Sequence, residues 1–278
     1  MLLRPIPYSK PSAAAPSVAA ERRGCSAGKT GDPTVNFDTF EPVYEAILAD
    51  FGFERAADER VRDDAAALST PFSLDRLGGW QDETVAVAGA APCLADEVAV
   101  AREADVVVAA STAVDVLRDR GVAVDCMVTD LDKNPETAAE LTRDGTLVAA
   151  HAHGDNAPAV REWLPRFDPE WTLTTTQAAP VGSVRNVGGF TDGDRAAFLA
   201  DHVGAGRLTF LGWDFDDPSV GPMKARKLTW AARLLRWLER RRGESFGILD
   251  GRREELDAAL APVIGRGVGP GGNESDSR

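Results

Sequence analysis

The sequence predicts an α/β fold: a mostly parallel sheet with helices on both faces, preceded by a helical N-terminal region. Three observations predict it. From Thr84 onward, short β-branched runs alternate with amphipathic segments, the βαβ signature. Ahead of them, apolar residues such as Val43, Ile47 and Leu48 recur at helical spacing. After the apolar runs come compact polar clusters, as expected where strands deliver residues to one crevice.

In chain order, residues 1–34 are rich in Pro, Ala, Ser and Gly with no sustained period, and they read as a disordered extension, even as an over-extended reading frame. Residues 35–83 read as a helical region packed on the core, with helices over about 38–51 and 54–68. Residues 84–264 read as the α/β catalytic domain. Its strands are expected near 84–88, 105–110, 124–129, 146–150, 172–176 and 207–211, and its strongest helices near 191–203 and 223–241. Residues 265–278 read as a flexible Gly- and Ser-rich tail.

Composition narrows the function classes. The 278 residues are 44% hydrophobic, enough for a sizeable core, and carry a net charge of −13. The first 34 residues hold five basic residues against Glu21 and Asp32, so the acidic excess belongs to the body, which excludes nucleic acid and anionic membranes as natural partners. Arginine far outnumbers lysine, and with the abundance of Asp, Glu and Ala this resembles proteins of salt-loving archaea. Cys25, Cys93 and Cys126 form no CxxC pair, so neither a disulfide framework nor a zinc ribbon is expected, and a reduced cytoplasm fits. No apolar run approaches the ~18 residues of a membrane span.

The polar clusters carry the chemistry. Asp130 and Asp132 follow the run Val124–Val128, and two carboxylates one residue apart at a strand end both reach one hard cation, for which Mg²⁺ suits. The competing reading of Asp132 is a helix cap before Pro135. His151, His153, Asp155 and Asn156 gather at the next strand end around Gly154. With His202 the only other histidine, a zinc site is disfavoured; the two imidazoles are expected on phosphate and Asp155 on the metal. Gln177 closes a further strand.

Gly188, Gly189, Thr191, Asp192, Asp194 and Arg195 run from a glycine turn into a helix start, an expected anion site with Arg195 reaching a phosphate; a well-capped helix is the plainer alternative. The stretch Gly89 to Leu94 is a weak phosphate-loop candidate. Gly24 to Thr30 mimics a Walker A loop but is one residue short and follows no strand, so it is rejected.

The motifs Val128-Thr129-Asp130-Leu131-Asp132, His151-Ala152-His153-Gly154-Asp155-Asn156 and Gly188-Gly189-Phe190-Thr191-Asp192-Gly193-Asp194-Arg195 together resemble the archaeal 6-hydroxymethyl-7,8-dihydropterin pyrophosphokinase family, over roughly Phe37 to residue 241. That family is similar in fold to the catalytic domain of thiamine pyrophosphokinase. The family loop Gly-x-Gly-Pro-Ser-Leu is matched at Gly89 and Pro92, with Ala91 and Cys93 replacing its second glycine and its serine. Lys224 and Lys227 match family lysines after the last strand.

The resemblance implies transfer of diphosphate from ATP to 6-hydroxymethyl-7,8-dihydropterin, yielding AMP. It implies Mg²⁺ on Asp130, Asp132 and Asp155, phosphate contacts from Arg195, Lys224 and His153, and Asp192 or Asp194 as base. It leaves room for a homodimer. Alternatives are a metal-dependent glycosyltransferase, a thiamine-type pyrophosphokinase, or a nucleotide-binding regulatory protein without turnover.

Overall fold

The computed structural model describes residues 35–264; the expected disordered extension and tail lie outside the described residues. Helix α1 (Phe37–Phe51) starts where the Asn36 side chain accepts a hydrogen bond from the Thr39 amide at 2.9 Å. It stops at Gly52, whose left-handed backbone (φ 72°) lets its N–H reach the Leu48 carbonyl at 2.8 Å. The buried stripe of α1 packs Phe40 against Trp237, ring centroids 6.5 Å apart, and burying such a side chain stabilises by roughly 2 kcal/mol. Helix α2 (Arg55–Leu68) follows after a sharp corner.

The six strands lie within two residues of the expected runs: β1 (Thr84–Ala88), β2 (Val106–Ala110), β3 (Cys126–Thr129), β4 (Leu147–Ala152), β5 (Thr172–Thr176) and β6 (Arg207–Leu211). All neighbours pair in parallel in the order β5-β4-β3-β2-β1-β6. Helices α3 (Val98–Glu103), α4 (Ala113–Asp119), α5 (Pro135–Arg143), α6 (Ala157–Trp163), α7 (Asp192–His202), α8 (Pro222–Arg242) and α9 (Arg253–Ile264) supply the rest of the layers.

Strand alternation divides the core. Val85, Val87, Val108 and Val128 face a layer with α1, α7, α8 and α9, whereas Ala86, Ala88, Met127 and Val148 face the layer that includes α2, α4 and α5. The expected arrangement of helices on both faces is therefore present. Because the chain winds from β1 out to β5 and then returns to place β6 on the other side of β1, the strand order switches between β1 and β6, and a crevice opens at the carboxyl ends there.

One strand runs further than its sequence suggests. β4 extends to Ala152 because His151 and Ala152 continue the ladder opposite Thr175 and Thr176. His151 is thereby a sheet residue rather than part of the loop after it.

Candidate active site

A cavity of about 540 Å³ lies over the carboxyl ends of the strands, within the range of small-molecule sites. Its floor at the centre is the β3 exit. Thr129 Oγ1 accepts from the Leu131 amide at 3.0 Å, and Leu131 adopts a left-handed backbone (φ 66°), so the chain turns sharply and places Asp130 and Asp132 side by side. The Asp132 amide donates to Asp130 Oδ1 at 3.2 Å, and His153 Nε2 lies 3.7 Å from Asp130 Oδ2.

The two carboxylates respond differently to that crowding. Burial works against the Asp130 charge, but the adjacent His153 and the hydrogen bonding with Asp132 outweigh it and hold Asp130 well below the usual carboxylate range. Asp132 is pushed up to about 6 by burial and by the neighbouring Asp130 charge. Two such carboxylates side by side offer the oxygen donors that a hard divalent cation takes. Asp155, the third carboxylate expected on the metal, also lines the cavity; among the described residues no group of three His, Cys, Asp or Glu already stands close enough to hold a metal.

The histidines part company. His153 is on the cavity wall, but His151 is 1% exposed, with Nδ1 3.0 Å from Thr175 Oγ1. Burial, reinforced by the Arg195 charge, keeps His151 neutral by lowering its pKa. It is out of reach of phosphate, which corrects the expectation. Asn156 is likewise behind the wall: its Nδ2 donates to the carbonyls of Asp130 (2.6 Å) and His151 (2.7 Å), while its Oδ1 accepts from the His153 amide (2.9 Å). It holds the two loops together rather than touching a ligand.

At the start of α7 the sequence offers two aspartates and the fold separates them. Asp194 is fully buried and accepts from the Phe190 amide (2.6 Å), the Thr191 amide (2.9 Å) and the Thr191 hydroxyl. Both of its oxygens are consumed in closing the helix start, so it is removed as a base and its carboxylate occupies the expected anion position. Asp192 faces the cavity with Thr191 and Arg195. Burial, and then the Asp130 charge, raise its pKa well above the ordinary value despite an Arg195 ion pair at 3.2 Å.

Gly188 and Gly189 both have left-handed backbones (φ 88° and 89°), and a Cβ on Gly189 would lie 2.5 Å from the Arg195 backbone. They fit the loop against α7 and do not line the cavity, so the expected glycine cradle is a packing device. Gly89 does line it: a Cβ there would sit 2.4 Å from the Gly212 carbonyl, where β1 and β6 come together. Pro92 begins a short turn of helix outside the wall.

Lys224 and Lys227, in the first turns of α8, also line the cavity. Their charges act on Asp192 and Asp132 respectively. Gln177 also reaches the cavity, and its Nε2 donates to Asp58 Oδ2 at 2.8 Å. Asp58, on α2, is a residue that sequence reasoning missed: it is 3% exposed and also accepts from Tyr44 Oη (2.8 Å) and the Gly154 amide (2.7 Å). Its own helix does not distinguish it from any helix-surface acid; its partners do, and Gly154 and Gln177 lie about a hundred residues away.

Comparison with known proteins identifies a family. The family model described as 6-hydroxymethylpterin diphosphokinase MptE-like matches residues 65–219. The chain is 39% identical over 216 residues to a 6-hydroxymethyl-7,8-dihydropterin pyrophosphokinase of Methanothermobacter thermautotrophicus, covering 71% of this chain and 92% of the relative. It is 33% identical over 226 residues to the protein of the same name from Pyrococcus furiosus, covering 74% and 95%. A third, from Methanocaldococcus jannaschii, is 26% identical over 230 residues, covering 72% and 94%. On this match and on the strand-end motifs it spans, the chain belongs to the MptE-like 6-hydroxymethylpterin diphosphokinase family.

Proposed function

We propose that this protein transfers diphosphate from ATP to 6-hydroxymethyl-7,8-dihydropterin, giving AMP and the pterin diphosphate. The observation that carries the reading is a single cavity lined both by the carboxylates Asp130, Asp132 and Asp192 and by the cations Lys224, Lys227 and Arg195. Carboxylates alone would repel a polyphosphate and cations alone would only bind one; the two sets together suit phosphate transfer with a metal.

Asp130 and Asp132 would hold Mg²⁺, which when bound supplies positive charge to the phosphate oxygens and fixes their orientation. The protein's own groups do the remainder. Arg195, 3% exposed and braced by Asp192 and the Phe190 carbonyl, offers a fixed guanidinium, while Lys224 and Lys227 bring mobile charges from α8. The pterin hydroxymethyl oxygen attacks the β-phosphorus, forming the new P–O bond as the bond to the α,β-bridging oxygen breaks and AMP departs. Asp192, its proton affinity raised by burial and by Asp130, is placed to take the hydroxyl proton.

Cys93 and Cys126 are free thiols, in keeping with a reducing cytoplasm, and among the described residues no helix is long and apolar enough to cross a membrane.

ATP labelled with ³²P at the γ-position tests the reaction. The label is expected in the pterin product, with unlabelled AMP as the nucleotide. Formation of ADP and a pterin monophosphate overturns it and leaves an ordinary kinase.

A further inference from the structure

The cavity is longer than the catalytic centre, and its two ends differ in chemistry. One end lies at the β1–β6 switch, walled by Gly89, Ala90, Ser111 and Gly212. The other lies under the α1–α2 corner, walled by Phe53, Glu54, Ala57, Asp58 and Gln177. The family match begins at residue 65, so most of this second wall comes from outside it.

We infer that the α1–α2 corner is the subsite for the pterin ring, with Glu54 pairing with the donor edge of its 2-amino-4-oxo pyrimidine and Phe53 against its face. This rests on the diphosphate-transfer reading. In-line displacement requires the attacking oxygen and the departing AMP on opposite sides of the β-phosphorus. With the phosphates over Asp130 and Asp132 at the centre of the sheet, the two flat rings occupy opposite ends. Nucleotides sit where strand order switches, which assigns AMP to the β1–β6 end and leaves the corner to the alcohol.

The corner matches that occupant. Glu54 lines the cavity and is exposed, and its carboxylate makes no hydrogen bond or ion pair with the described residues. A carboxylate accepts two parallel hydrogen bonds, which suits the adjacent N3–H and 2-NH₂ donors of a pterin; adenine presents a donor beside an acceptor and does not match. Phe53 stacks on Phe51 (centroids 5.2 Å apart), which in turn meets Phe190 of the cavity wall at 5.2 Å, so an aromatic surface lines one side.

Asp58 makes the corner rigid. Its carboxylate only accepts, so Gln177 must present Nε2 to it, which fixes the amide's orientation. Its bond to the Gly154 amide locks α2 to the loop between His153 and Asp155. The approach is close: a Cβ on Gly154 would sit 2.9 Å from that of Ala57. Ring subsite and catalytic loop are therefore one built unit.

The test measures two affinities in wild type and in Glu54→Gln: fluorescent 6-hydroxymethylpterin by direct titration, and α,β-methylene-ATP with Mg²⁺ by calorimetry. Glu54 is exposed at a helix start, so the variant is expected to fold, and circular dichroism checks it. Pterin affinity is expected to fall about tenfold or more, with methylene-ATP affinity within about twofold of wild type. Unchanged pterin affinity, or a loss confined to methylene-ATP, overturns the assignment. Product analysis of the wild type separates the two readings: wild type forming AMP while the variant keeps its pterin affinity sinks the subsite alone, and wild type forming no AMP from ATP and the dihydropterin sinks the activity.

Discussion

The side-chain amide of Asn156 donates to the backbone carbonyl of Asp130 at 2.6 Å, joining the β4 loop to the β3 loop across 26 residues. The same amide reaches the His151 carbonyl, and its oxygen receives the His153 amide. Asn156→Ala strips partners from three backbone groups at once, all at least partly buried. A stability loss of about 1–3 kcal/mol is expected, together with a higher Mg²⁺ requirement because Asp130 is no longer held. Urea unfolding and Mg²⁺ titration of turnover check both; a variant with unaltered Mg²⁺ dependence would show that the loop needs no such brace.

Asp132→Asn keeps the volume of the side chain and removes its charge. Turnover is expected to fall by about 10²–10³-fold while the fold survives. Full activity at saturating Mg²⁺ would take Asp132 out of the site.

Asp192 and Asp194 lie two residues apart and are expected to fail differently. Asp194→Asn disturbs the bonds to Phe190 and Thr191 and should cost about 1–2 kcal/mol, seen as a Tm lowered by a few degrees. Asp192→Asn should lower Tm less, because the amide oxygen still accepts from Arg195, and slow turnover by about 10²-fold, because the amide cannot take the proton. Equal Tm losses in the two variants would contradict the division of roles.

Glu239 contributes stability that depends on pH. It is 0% exposed, and although burial works against its charge, Arg253, Arg236 (2.5 Å) and the Phe246 amide (2.6 Å) outweigh this and lower its pKa. A carboxylate whose folded pKa lies below its unfolded value, near 4.3, contributes stability that is present above that value and lost as pH falls through the folded pKa. Glu239→Gln should cost roughly 2–3 kcal/mol at pH 7, less than a fully buried pair because Arg253 is partly exposed. The gap in Tm between variant and wild type should narrow from pH 7 to pH 3; a constant gap would mean that the ion pairs contribute nothing to folding.

By itself the sequence determined the architecture. β-Branched runs buried on both faces have no alternative home, and the acids and cations after them must emerge at one edge of a parallel sheet, so Asp130, Asp132, His153 and Arg195 were legible at a distance. Tertiary structure decided which neighbour faces the ligand. His151 and His153 share a strand-face spacing, but the ladder with β5 runs on past His151, and pairing with Thr175 leaves only His153 at the cavity. Asp192 and Asp194 are both good helix-start residues, and the turn of α7 sends one to the cavity and the other into its own backbone. Asp58 was illegible altogether, because a helix acid acquires meaning only when Tyr44, Gly154 and Gln177, donors from three other segments, are brought around it in the folded chain.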